Sequence, residues 1–183
     1  MTRGGRMNNA VGILREQAFC ALLNHIVGEE NIDIDLEENQ SESDAIIFGE
    51  EISIKTAMFN GRLPSTFKMC WTANRDAAEE YIRTWHPEFP IIYLAINWNT
   101  DLGGIYYIPI EAIENSFETL GRNNFFQLLG GNPRGVPVTR DGLTLMLENH
   151  NTIRIPMAWR SQYHAGDSLT RWLAIIEDLV DGY

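Results

Sequence analysis

A carboxylate and an ammonium set opposite each other on paired strands can meet over one reacting atom. The stretch from Ser43 to Thr56, SDAIIFGEEISIKT, offers such a pair in Asp44 and Lys55. Directly opposed residues hold their Cβ atoms roughly 5 Å apart. The Asp44 carboxylate supplies a hard oxygen of the kind Mg²⁺ prefers. Lysine can shift its pKa and share a proton where arginine cannot, and lysine is scarce in this chain, standing only at positions 55 and 68 against twelve arginines. The pair reads as a site for chemistry, or else as an ordinary cross-strand ion pair on the surface.

The element that must position the pair is a hairpin. Gly49-Glu50 is the natural turn, because glycine accepts the positive φ of tight hairpin turns. Phe48 then faces Glu51, Ile47 faces Ile52, Ile46 faces Ser53, Ala45 faces Ile54 and Asp44 faces Lys55. The period of two puts Ala45, Ile47, Ile52 and Ile54 on one apolar face, which predicts core. Asp44, Glu51, Ser53 and Lys55 share the other face with Ile46 and Phe48, which predicts a site. A helix precedes the hairpin, capped by Asn8 or Asn9 and running to about Val27, with Val11, Leu14, Ala18, Leu22 and Ile26 as its apolar stripe. Glu16 lies off that stripe near Cys20 and Leu23, which suggests a partly buried carboxylate.

An acid opening a strand, a hairpin, and a second strand ending in x-x-K resemble the core of the PD-(D/E)xK nucleases. Two positions depart from that pattern: Ser43 stands where proline is common, and Ser53 where ISIK would read I-(D/E)-x-K. Some members take the second carboxylate from the helix before the hairpin, and Glu16 fits that place. The order helix-Glu, strand-Asp, strand-Lys is most similar to the ThaI-type restriction endonucleases, over about Met7 to Trp98. The resemblance implies a restriction-endonuclease-like α/β core and a Mg²⁺-dependent type II enzyme. It implies a homodimer that hydrolyses double-stranded DNA at a short palindrome, beside a cognate DNA methyltransferase. Glu16 and Asp44 would hold the metal and Lys55 the attacking water. Glu51 and Ser53 are the competing hairpin donors.

The 183 residues, 44% of them hydrophobic, fit one domain with a real core, preceded by a basic arm over about residues 1–9. The longest apolar runs, such as PIIYLAINW, fall far short of the ~20 residues of a membrane span, and a cytoplasmic protein is the expectation. Cys20 and Cys70 read as small buried hydrophobes. The four histidines lack zinc-ligand spacing. A net charge of −11 opposes indiscriminate nucleic-acid binding. It raises two alternatives: a catalytically inactive nucleic-acid-binding domain of the same fold, in keeping with Ser53, and an acidic protein-interaction domain. The acids cluster in Glu29 to Glu51 and around the last helix, away from most arginines. Candidates for DNA contact are Arg6 and Met7 in the arm, where Met7 could wedge between base pairs, then Arg62, Lys68 and Arg75, and finally Arg134 and Arg140.

In order, NIDIDLE alternates as an edge strand. MFNGRLPSTFKMCW reads as a loop, and a helix follows from Thr72 or Asn74 to about Trp85. PIIYLAIN is apolar throughout, as a central strand covered on both faces should be, and IYYIPIEAI reads as the next strand. This makes a mixed sheet of about five strands flanked by helices. A loop from Asn123 carries Arg134 and Arg140. Thr139 caps a helix to about Asn149, TIRIPMAW is a short strand, and residues 167–180 form an amphipathic last helix.

Overall fold

A computed structural model of the chain describes residues 18–34, 43–128, 130 and 135–159. Helix α1 covers residues 18–27, and a 3-10 turn at Glu29–Asn31 leads into strand β1, Ile32–Asp33. The hairpin is β2, Ala45–Ile47, and β3, Glu50–Met58. Strand β4 is Lys68–Cys70, and helix α2 is Arg75–Thr84. Then come β5, Ile91–Ile96, β6, Gly104–Ile108, and helices α3, Ile110–Leu120, and α4, Arg122–Phe125. The described chain ends with β7, Val136–Pro137, helix α5, Arg140–Glu148, and β8, Ile153–Pro156. The proposed arm, the start of the first helix and the last helix lie outside the described residues.

The main sheet has six strands in the order β1-β2-β3-β5-β6-β8, and β4 pairs with β7 in a separate two-stranded sheet. Strands β3 and β5 are parallel and the other neighbours antiparallel, so the sheet is mixed. Every residue of β5 is buried, which is the reason that its sequence is apolar without alternation. One sheet face packs Ala45, Ile47, Ile52 and Ile54 with Ile92, Leu94 and Ile96 against Ala18, Phe19 and Leu22 of α1. The opposite face packs Ile91, Tyr93, Ala95 and Tyr106 under α2, α3 and α5.

Several expectations hold and several are corrected. Asn74 caps α2, its Oδ1 accepting from the Ala77 N–H, and Thr139 caps α5 through the Gly142 N–H. The predicted strand IYYIPIEAI is instead half strand and half helix. Pro109 supplies the extended N-cap, and Ile110, Ile113, Phe117 and Leu120 continue at helical spacing as α3. Part of the predicted loop at Lys68 is strand β4, because it finds a distant partner in β7. Ile26 does not join the apolar stripe of α1 but is 65% exposed, and Cys70 is only half buried.

The hairpin register is also corrected. The turn is Phe48-Gly49, with φ of 51° and 82°, and Ala45 pairs with Ile52, Ile46 with Glu51 and Ile47 with Glu50. Both turn residues therefore have the positive φ of a type I′ turn. Strand β1 holds this arrangement from outside, since Ile32 pairs with Ile47 and the Phe48 N–H donates to the Asn31 carbonyl at 2.7 Å. The pairing moves by two residues from the expectation, and an even shift keeps every side chain on its predicted face.

Candidate active site

Because of the shifted register, Asp44 lies across from Ser53 and diagonal to Lys55, where direct opposition to Lys55 was expected. Its backbone N–H donates to the Ile52 carbonyl at 2.8 Å, which extends the hairpin ladder by one step. Its carboxylate then reaches over β3. Asp44 Oδ2 accepts from the Ile54 N–H at 2.6 Å and from the Ser53 hydroxyl at 3.1 Å, and Lys55 Nζ stands 3.5 Å from the same oxygen. Asp44 and Lys55 thus meet as expected, by the diagonal contact that a long side chain can span.

The three contacts all converge on Oδ2. Among the described residues nothing bonds Oδ1, and the side chain of Asp44 is 35% exposed while that of Lys55 is 16% exposed. The carboxylate is thus anchored on one oxygen and open on the other. Charge-assisted bonds of this kind are shorter and stronger than neutral ones, so the aspartate is held in one orientation before anything binds.

Ser53, at the position where the family pattern has a carboxylate, orients Asp44 through its hydroxyl. Ser43, where proline is common, donates to Glu51 Oε2 at 2.9 Å. Glu51 is one residue farther from the turn than expected, and its carboxylate is held by the residue just before Asp44. Sequence reasoning noted Ser43 only as a departure; a hydroxyl one residue before the key acid was the available signal. Glu16 lies outside the described residues, and among those described no three of His, Cys, Asp and Glu gather as a metal cluster.

The DNA-contact candidates separate by position. Arg6, Met7 and Arg134 lie outside the described residues. Arg75 pairs with Glu79 at 2.7 Å along the exposed side of α2. Lys68 sits on β4 with Nζ 3.8 Å from the centroid of the Trp71 ring, and burial lowers its pKa. Arg62 and Arg140 come together at one cavity, with Arg154, which sequence reasoning did not single out, as the third arginine. The alternation of Arg154 with Ile153 and Ile155 was the only hint of its placement.

An acid at the mouth of one strand, a lysine on the next, and a mixed sheet sandwiched by helices define a restriction-endonuclease-like α/β protein. The family model for restriction endonuclease ThaI matches residues 1–178. A solved structure described as a restriction endonuclease in complex with substrate DNA is similar with a TM-score of 0.77 and 33% identity, over 91% of this chain and 80% of that chain. No curated protein matches. The chain belongs to the ThaI restriction endonuclease family, and so it is an enzyme, a site-specific DNA nuclease of type II. That membership sets aside the acidic protein-interaction alternative.

Proposed function

We propose that this chain is a Mg²⁺-dependent endonuclease of PD-(D/E)xK type that hydrolyses double-stranded DNA at a short palindrome, with Asp44 and Lys55 as its reacting pair. The observation that carries the reading is the Asp44 carboxylate, fixed through Oδ2 by Ile54, Ser53 and Lys55 and with Oδ1 unbonded among the described residues. Such a group suits Mg²⁺, which binds through one or two carboxylates and keeps several waters. When bound, the ion supplies Lewis-acid polarisation of the phosphate and eases deprotonation of a water.

The chain's own residues do the rest. Ser53 and the Ile54 N–H keep Asp44 from turning away. Lys55, steadied by Asp44 on a strand paired with β5 from Ser53 to Met58, presents a cation to the scissile phosphate and orients the attacking water. The water oxygen bonds to phosphorus and gives up its proton to solvent, while the bond to the departing sugar oxygen breaks and that oxygen takes up a proton from solvent.

Two carboxylates compete to stand beside Asp44. Glu16 is the one that the family resemblance implies. Glu51 shares the hairpin face of Asp44 and is held by Ser43. We expect Glu16→Gln to lose Mg²⁺-dependent cleavage while Glu51→Gln keeps substantial activity, measured by single-turnover cleavage across a Mg²⁺ series. A normal Glu16→Gln beside an inactive Glu51→Gln would move the second ligand to the hairpin.

A palindrome is cut on both strands most simply by two copies related by a twofold axis, so a homodimer is proposed. A DNA methyltransferase of the same specificity is its expected partner. The test of the reading is plasmid DNA with purified protein and Mg²⁺, followed by sequencing of the ends. Discrete fragments with twofold-symmetric ends support it. Intact plasmid bound by the protein would favour the inactive binding domain.

A further inference from the structure

We propose that the cavity bounded by Arg62, Arg140 and Arg154 binds a backbone phosphate of the DNA, at a position flanking the one that Asp44 and Lys55 face. The proposal rests on the reading of that pair as the cleavage site.

Three of the six described arginines have partners within the fold. Arg75 pairs with Glu79, and Arg83 with Glu80. Arg122 bonds the carbonyls of Ile82 and Trp85. The three that remain, Arg62, Arg140 and Arg154, have no ion pair among the described residues, and they line one cavity of about 250 Å³. They arrive from separate places: the loop after β3, the first turn of α5, and β8. In a chain of net charge −11, three exposed cations brought together without an ion pair make a local positive patch that an anion can neutralise. Glu148 also lines the cavity, so three cations face one carboxylate there.

The walls suit a phosphate. Leu63, Pro64, Leu102 and Leu143 contribute apolar surface, which lowers the local dielectric and strengthens a charge pair formed there. Arg154 is already oriented. Its Nη2 donates to the carbonyls of Leu102 at 3.4 Å and Gly103 at 3.3 Å, and its guanidinium lies 5.7 Å from the centroid of the Tyr106 ring. A guanidinium has five N–H donors, so donors remain for an incoming anion.

Position relates the cavity to the cleavage site. Lys55 pairs with Tyr93, Tyr93 with Tyr106 and Tyr106 with Arg154, so the four residues form one row on one face of the sheet. Three strand spacings separate Lys55 from Arg154 along that row, about 14 Å from backbone to backbone. Arg62 stands four residues after Met58, the last residue of β3, and its loop crosses the row, where the Tyr93 hydroxyl donates to the Ser65 carbonyl. The middle of the row is buried, at Tyr93 and Tyr106, so a strand of DNA that engages Lys55 passes over the covering loop, which carries Arg62, and reaches the arginines a few nucleotides away. Phosphate contacts of this kind fix register and orientation without reading sequence.

The test uses the full-length protein and a labelled pool of random-sequence 20-bp duplexes in EDTA, with binding followed by anisotropy across a KCl series. Neutralising one phosphate contributes about 0.9 to the slope of log K against log salt. Arg62→Gln/Arg140→Gln should lower that slope by about 1, and Arg83→Gln should leave it as in wild type. Among the described residues neither the Arg62 nor the Arg140 side chain hydrogen-bonds to the fold, so the double variant is expected to fold, and its melting temperature checks this. A folded double variant with the wild-type slope overturns the proposal. If the wild type still cuts plasmid in Mg²⁺, that result leaves the nuclease reading standing. A wild type with no salt-dependent DNA binding would overturn both. Millimolar inorganic phosphate that raises the melting temperature of wild type but not of the double variant, with DNA slopes equal, would assign the cavity to a free anion and also overturn it.

Discussion

The two ends of the row from Lys55 to Arg154 handle charge in opposite ways. At the Asp44 end, lysine and aspartate satisfy each other at 3.5 Å, and a hydroxyl and a backbone N–H lock the aspartate. At the arginine end, three cations share a cavity with no ion pair among the described residues. Internal compensation holds a group in place before substrate arrives, as a chemical step requires. Uncompensated charge attracts a partner from outside, as binding requires. Acids and bases lie within one hairpin in the first case, and cations lie on three distant segments in the second.

The contrast predicts a division of labour, and the largest effects fall at the hairpin. Asp44→Ala and Lys55→Ala should each reduce cleavage by about 10³-fold or more, in the range seen when a group that stabilises the transition state is removed, while DNA binding stays measurable. Gel-based cleavage beside anisotropy checks this, and wild-type cleavage by both variants would break the comparison at its first end. The arginine double variant should do the reverse, weakening binding with a smaller change in the rate of saturated single turnovers. An equal loss in both would mean that the two ends do not divide the work.

Ser53→Ala is the next step down. It removes one of three contacts to Asp44 Oδ2 and leaves Lys55 and the Ile54 N–H in place. Stability should fall by about 1 kcal/mol, read from denaturant midpoints, and cleavage should fall only several-fold. Complete inactivity would mean that the hydroxyl itself acts in the reaction.

The smallest effect belongs to the middle of the row. Burial pushes the Tyr93 hydroxyl well above its usual pKa, with neighbouring Tyr106 adding to the shift. The folded pKa lies above the unfolded value of 10, so this stabilisation is full below pH ~10 and is lost as pH rises toward the folded value. Tyr93→Phe should cost about 1 kcal/mol near pH 7, through the lost bond to the Ser65 carbonyl. Its stability should then fall less steeply than wild type above pH 10. Parallel stability curves for the two proteins would mean that Tyr93 ionises as freely in the fold as outside it.

The hairpin was legible because its information is local. Asp44, Ser53 and Lys55 share a face for any pairing of the same parity, so the wrong turn, Gly49-Glu50 in place of Phe48-Gly49, still sorted core from site. The central strand β5 and the caps Asn74 and Thr139 were legible for the same reason, since run length, composition and capping chemistry act over a few residues. Helix α3 escaped notice because Ile110 to Ile113 fits a strand as well as a helix until Phe117 and Leu120 complete the longer period.

The sequence by itself determined the local patterns: which side chains share a face, which stretch is buried on both sides, and that an acid and a lysine stand on adjoining strands. Only the tertiary structure decided the two-residue register, which depends on β1 gripping β2 from outside and on the Phe48 bond to Asn31. It alone paired β4 with β7 and turned Glu51 toward Ser43. It alone gathered Arg62, Arg140 and Arg154 at one cavity, because their meeting is set by how β3, β6, β8 and α5 pack, and nothing in the spacing of three arginines across some ninety residues encodes that packing.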